Sequence, residues 1–203
     1  DLPTTGKCKV FSSIPFFHTA EIVNKLLFNE NPPEDTYLIL QKEAAEKYAG
    51  IPKDTLASLL LKPLFWVDII YHFNKTDFHP APSVDVVLLQ IEKRRCQLVP
   101  IQYYSLYKDF VISLRESTDN TTKKAMKRLF TYIQVKHLAR LLHIDLRSST
   151  SELSFRQYLG LFQFYLDHNP RDKHLIQGAE QKLRRQQANI VKVHRNLNIG
   201  GKF

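Results

Sequence analysis

Val10-Phe11-Ser12-Ser13-Ile14-Pro15-Phe16-Phe17 reads as a short apolar strand that runs into small polar residues, an X-Pro step and two aromatics. Pro15 fixes its own φ and biases Ile14 toward an extended backbone, so the strand end is stiff. The Ser13 hydroxyl and the Ile14 carbonyl can then point one way as acceptors. Phe16 adds a flat apolar face. Two acceptors beside a stacking ring suit a planar amine. The chain that follows turns this strand into a fold. Thr19 to Phe28 carries Ile22, Val23, Leu26 and Leu27 at helical spacing, and Tyr37-Leu38-Ile39-Leu40 is an apolar run of strand length.

The alternation continues. Gln41 to Tyr48 reads as a helix, Leu56 to Leu64 as another broken by Pro63, and Trp66 to Phe73 and Val84 to Ile91 as two strands. The loop between those strands contains Asp77-Phe78-His79-Pro80-Ala81-Pro82-Ser83-Val84-Asp85, whose spaced prolines stiffen it. This is an α/β pattern, a parallel sheet with an antiparallel edge. Trp66 and Tyr71 are expected in the sheet core. Near Val99-Pro100 the composition shifts and the pattern turns helical: Tyr103 to Ser117, Thr122 to Leu142 and Glu152 to His168, stopped by Asn169-Pro170. A further helix is expected from about Lys173 to Val193, fading into a disordered tail, Asn198 to Phe203. The expected organisation is a sheet domain over 1–98, a small all-α domain over 99–170 and a basic extension over 171–203.

Charge divides along the same line. Through Leu98 there are eleven Lys and Arg against twelve Asp and Glu, a net −1, and from Val99 onward eighteen against eight, a net +10, so the excess behind the overall +9 lies in the helical part. Such asymmetry points to a polyanionic partner, with a solvated helical surface as the plainer alternative. Lys123, Lys124, Lys127 and Arg128 are the densest cluster, and Lys136 and Arg140 continue it at four-residue spacing along the same expected helix. These six are the candidate phosphate contacts. The apolar runs are too short to cross a bilayer, and a soluble protein of the cytoplasm is expected, with Cys8 and Cys96 as buried free thiols. His18, His72 and His79 are not at metal-ligand spacing, and His137 and His143 fall on a basic helical face, so no metal is expected.

With both stiffened segments in view, the chain resembles the Erm-type 23S ribosomal RNA adenine-N6 methyltransferases, within the broader ribosomal RNA adenine dimethyltransferase family. Four elements carry the resemblance in order: Ser13-Ile14-Pro15-Phe16 ahead of a helix, the Tyr37-Leu38-Ile39-Leu40 strand, the Phe78 to Pro82 loop, and Ser154-Phe155-Arg156-Gln157-Tyr158-Leu159-Gly160-Leu161-Phe162. The resemblance implies the back half of a Rossmann-like sheet followed by a helical RNA-binding domain, S-adenosylmethionine as cofactor, 23S ribosomal RNA as partner, a monomeric full-length protein, and resistance to macrolide, lincosamide and streptogramin B antibiotics.

It also implies residue roles. Ser13, Ile14, Pro15 and Phe16 would form the catalytic element, with Ser13 also bordering the cofactor, and Phe78 would stack on the target adenine opposite Phe16. The relatives carry asparagine where this chain has Ser13, which leaves rate and mono- against dimethylation open. They often have a polar residue where Phe17 stands. The Gly-rich cofactor turn expected of such enzymes is not found at Gly6, Gly50, Gly160, Gly178, Gly200 or Gly201, so the turn is expected ahead of Asp1 and the chain as given is expected to be inactive alone. Two other readings stand beside this one: a non-catalytic RNA-binding module, and a housekeeping 16S adenine dimethyltransferase, against which Ile14 and the Ser154 to Phe162 helix argue.

Overall fold

A computed structural model of the chain describes residues 3, 5–115, 121–168 and 174–189. Four strands form one sheet in the order β1-β2-β4-β3: β1 Lys9–Ser13, β2 Asp35–Gln41, β3 Phe65–His72 and β4 Val86–Lys93. Helix α1, Thr19–Leu27, carries the chain from β1 to β2, and a crossover of that kind makes them parallel, with Phe11 opposite Tyr37. Helices α2, Lys42–Ala49, and α3, Leu56–Leu61, lead to β3. The α/β class expected from the sequence is what the chain forms, but the antiparallel share is larger than an edge. β4 pairs antiparallel with both β2 and β3, leaving β1 and β2 as the parallel pair. The Pro-rich loop returns the chain from β3 without a helix, which suits antiparallel pairing, and β4 inserts between β2 and β3.

Every later element is helical: α4 Ile101–Arg115, α5 Thr122–Lys127, α6 Tyr132–Leu141, α7 Phe155–His168 and α8 Ala179–Asn189. The single helix expected from Thr122 to Leu142 is instead two. Leu129 and Phe130 turn inward to be buried in the core. The Thr131 side chain then accepts from the Gln134 N–H while the Gln134 side chain accepts from the Thr131 N–H, a reciprocal cap that starts a new helix. The helix expected from Lys173 begins at Ala179, because Gly178 with φ of 83° is left-handed and precedes it. The expected Asn169-Pro170 stop, the end at Ser117, the helix end near Val193 and the tail from Asn198 all lie outside the described residues.

One core joins sheet and helices. Leu38, Leu40, Leu89 and Ile91 from the sheet meet Tyr107, Phe110, Phe162 and Tyr165 from α4 and α7. Two tyrosine hydroxyls on α4 cap the last turn of α3: Tyr107 donates to the Leu59 carbonyl at 2.9 Å and Tyr104 to the Leu60 carbonyl at 2.7 Å. Those carbonyls have no partner within their own short helix, so the hydroxyls both satisfy them and set how α4 sits. Asp54 performs a similar function on the other side. One of its oxygens accepts from Ser58 and Lys62, and the other accepts the Phe155 N–H that opens α7.

Three expectations of burial fail. Trp66 and Tyr71 are 55% and 50% exposed because β3 is an edge strand whose outer face nothing covers among the described residues. The Arg94 guanidinium stacks 3.4 Å from the Trp66 ring centroid instead. Cys96 is exposed, in the segment after β4, and Cys8 is partly buried; both are free thiols.

Candidate functional site

The end of β1 is stiff for the reasons legible in its residues. Ile14 is buried, and its N–H donates to the Ile39 carbonyl at 3.1 Å, extending the parallel ladder one residue beyond the strand. Pro15 holds φ −61° and ψ 131°, and a single 3-10 turn, Phe16–His18, follows, closed by the His18 N–H on the Pro15 carbonyl. The Thr19 hydroxyl donates to the Phe16 carbonyl at 3.1 Å. The turn leaves Ser13 exposed, Phe16 43% exposed and Phe17 98% exposed. Among the described residues no side-chain hydrogen bond occupies the Ser13 hydroxyl, and none occupies the Ile14 carbonyl.

The loop between β3 and β4 is braced at both ends. The Phe73 N–H donates to the Val86 carbonyl at 3.0 Å, the Asn74 N–H donates to the Asp77 carboxylate at 2.8 Å, and Lys75 Nζ donates to the Ser83 carbonyl at 3.4 Å. Phe78 then meets Phe73 edge-on, with centroids 5.4 Å apart. This bracing sets Phe78 beside the end of β1. Ser13, Ile14, Pro15, Phe16 and Phe78 line one cavity of about 210 Å³, together with Pro80, Pro82, Ile39 and Val86. Ile39 and Val86 carry no signal in the sequence. They join the site because β1 lies beside β2 and β2 beside β4.

The six basic candidates are all exposed, on two helices rather than one. The break between the helices nevertheless gathers three of them around Tyr132, a residue that the sequence reading passed over. Lys136 Nζ lies 4.7 Å and Lys127 Nζ 5.9 Å from its ring centroid. A hydrogen bond and the charge of Lys136 lower the Tyr132 phenol below its ordinary value, and Lys123 and Lys127 add to the effect. Lys124, Arg128 and Arg140 lie exposed on or beside the same helices. An aromatic that opens a helix four residues ahead of a lysine was the available signal.

The adenosyl cofactor that the resemblance implies is expected on a Gly-rich turn at the end of a strand. Positive-φ glycines occur at Gly6 before β1, Gly50 after α2 and Gly178 before α8, so none turns the chain at the C-terminal end of a strand, where such a cradle belongs. Among the described residues no three His, Cys, Asp or Glu are grouped to hold a metal ion, and no helix is long and apolar enough to cross a membrane.

Comparison with known proteins follows the same outline. Residues 3–167 match the family model described as ribosomal RNA adenine dimethylase. An rRNA adenine N-6-methyltransferase of Bacteroides fragilis is 26% identical over 167 residues, 82% of this chain and 62% of that protein. A ribosomal RNA small subunit methyltransferase A of Listeria monocytogenes is 28% identical over 104 residues, 50% of this chain and 34% of that protein. The chain thus spans less than two thirds of the length of these curated relatives. Among solved structures, the 23S rRNA methyltransferase ErmE superposes with a TM-score of 0.74 at 21% identity, over 82% of this chain and 68% of that one. At that identity the likeness speaks for the fold, a methyltransferase-like α/β sheet with helices after it. The family match covers far more than half of the chain, and the chain belongs to the ribosomal RNA adenine dimethylase family.

Proposed function

We propose that this chain holds an adenine of 23S ribosomal RNA by its N6 amine and presents it for methylation, as the target-binding part of an enzyme that confers resistance to macrolide, lincosamide and streptogramin B antibiotics. The observation that carries the reading is the 210 Å³ cavity into which Ser13, Ile14, Pro15, Phe16 and Phe78 converge.

The exocyclic amine of adenine is a poor nucleophile, since its lone pair is delocalised into the ring. Acceptors on its two hydrogens, the Ser13 hydroxyl oxygen and the Ile14 carbonyl oxygen, favour a pyramidal nitrogen whose lone pair leaves the ring plane. Phe16 and Phe78 clamp the base and fix its direction. Extracting the base from its stack costs roughly a few kcal/mol, which contact with the two rings offsets. S-adenosylmethionine supplies the methyl group when bound; in this chain Ser13 alone is assigned beside it. Lys123, Lys124, Lys127, Arg128, Lys136 and Arg140 take phosphates of the RNA, with the charge carried by the helical part rather than the sheet.

A small-subunit substrate is the second reading, favoured by the similarity to the Listeria protein. That similarity spans 50% of the chain, whereas the likeness to the 23S rRNA methyltransferase ErmE spans 82% of it, which supports the large-subunit substrate. Primer extension on ribosomal RNA from cells making the full-length protein separates them. The expected result is a stop at one adenine of 23S RNA that Ser13→Ala removes and Ser13→Asn keeps. A stop confined to 16S RNA would move the substrate to the small subunit. No stop on either, with RNA binding intact, would leave a binding module.

A further inference from the structure

Helix α8 lies beyond the span that the family model covers, residues 3–167, yet it is firmly fastened to α4. Asp109 of α4 is 8% exposed, and its two carboxylate oxygens accept the Gly178 N–H at 3.0 Å and the Glu180 N–H at 2.8 Å. The neighbouring Lys108 Nζ lies 2.7 Å from one oxygen of Glu180, and Arg184 lies 2.7 Å from the other. Ile176, just ahead of the helix, is buried in the shared core. A helix pinned at its start, on one flank and at its leading residue is fixed in rotation, so the side chains it turns toward α5 are determined.

Between α8 and the α4 and α5 helices runs a cleft of about 490 Å³. Arg128, at the end of α5, and Lys182, in the first turn of α8, both line it. Ser113, Gln177 and Gln186 contribute neutral hydrogen-bonding groups to its wall. A guanidinium fork and an ammonium point charge, from two different helices and with neutral donors between them, match an anionic phosphodiester. The positive surface also runs on from Arg128 through Lys127, Lys124 and Lys123, all exposed along α5. A continuous strip follows a polymer backbone better than it follows a lone ion.

We propose that Arg128 and Lys182 grip one phosphodiester of the bound RNA, and that α8 is an added element that extends the RNA surface of the family's helical part. This inference rests on the RNA reading above. It is tested with the full chain by fluorescence anisotropy on a short RNA hairpin carrying an unpaired adenine, across a series of KCl concentrations. Lys182→Ala and Arg128→Ala should each weaken binding about three- to tenfold and make the salt dependence shallower by about 0.7 to 0.9 in log–log slope, the loss of one phosphate contact. Asp109→Ala, which releases α8, should reproduce the Lys182→Ala loss and add nothing to it. Should that variant not fold by circular dichroism, the two cation variants decide the matter. The triple change Lys123→Ala, Lys124→Ala and Lys127→Ala serves as the reference for the RNA reading. If the triple variant loses affinity while Lys182→Ala binds as tightly and with the same slope as the unaltered chain, the cleft is overturned and RNA binding stands. If the unaltered chain fails to bind RNA, the RNA reading itself falls. Displacement of the RNA from the Arg128 and Lys182 cleft by inorganic phosphate at matched ionic strength would mark a small-anion site and overturn the phosphodiester.

Discussion

Phe16, just past the end of β1, and Phe78, in the loop ahead of β4, line the same cavity of about 210 Å³. A ring that borders the cavity from a braced loop contributes stacking without holding the fold together, and base stacking on an aromatic is worth about 1–3 kcal/mol. Phe78→Ala in the full-length protein should therefore lower the methylation rate by about ten- to a hundredfold while leaving the melting temperature nearly unchanged. Phe78→Tyr should retain most of the rate. Initial rates of methyl incorporation into ribosomal RNA check both, and an unchanged rate in the alanine variant would remove Phe78 from the site.

Tyr132 reports on the lysines around it. Lys136, foremost, and then Lys123 and Lys127 hold its phenol below the ordinary value of 10.0. Lys136→Ala should raise that titration, followed by NMR of ring-labelled tyrosine, and should make the salt dependence of RNA binding shallower by about 0.7 to 0.9. Tyr132→Phe should leave the salt dependence intact, since it removes no charge.

Gly50 is the position at which a methyl group should do most damage. It sits at φ 72°, and a Cβ there would lie 2.6 Å from Asp54 Oδ1, 2.7 Å from Ser58 Oγ and 2.8 Å from Lys62 Nζ. Those atoms belong to the network through which Asp54 also receives the Phe155 N–H. Strained backbone and a displaced, partly buried carboxylate together should cost about 2–4 kcal/mol for Gly50→Ala, measured by urea unfolding. A loss below about 0.5 kcal/mol would show that the network yields freely.

Burial works to raise the Glu180 carboxyl, but hydrogen bonds and charge from Lys108 and Arg184 prevail and hold it below its ordinary value of 4.5. A carboxyl that is more acidic in the folded chain adds stability above the ordinary value and loses it as pH falls through the depressed one. Amides of α8 should lose hydrogen-exchange protection ahead of those of α4 as pH falls below about 4. Lys108→Ala should abolish that difference.

The alkaline limit has the opposite sign. Burial pushes the Tyr158 phenol up to about 12, with Arg115 opposing, and burial raises Tyr104 and Tyr107 as well. A phenol kept neutral by the fold contributes its full stability below the ordinary value of 10.0 and loses it as pH rises through the raised one. Unfolding should therefore set in above pH 10 and progress toward 12, followed by far-UV circular dichroism. Tyr158→Phe should shift the onset upward. An onset unchanged by that substitution would assign the transition to other groups.

Local chemistry made much of this legible. Strand and helix periodicity, the Pro15 stop and the spaced prolines of 80 and 82 give the α/β class and both halves of the cavity, because each depends on a few consecutive residues. The break at Thr131 was obscured by continuous helical periodicity on both sides of it. A reciprocal cap with Gln134 and the inward pull of Leu129 and Phe130 outweighed local propensity there. The exposure of Trp66 and Tyr71 was not legible either, since an apolar strand reads alike at the edge of a sheet and at its centre.

The amino-acid sequence alone determined the strands and most of the helices, the asymmetry of charge, the stiff Ser13-Ile14-Pro15-Phe16 turn and the family to which the chain belongs. The tertiary structure decided which pieces share a site. It set β4 between β2 and β3, so that Ile39 and Val86 join Ser13 and Phe78 around one cavity, and it turned α8 so that Lys182 shares a cleft with Arg128. The physical reason is separation along the chain. Contacts between residues tens of positions apart follow from burial of a shared core and from satisfying buried polar groups such as Asp109, and neither has a local signature.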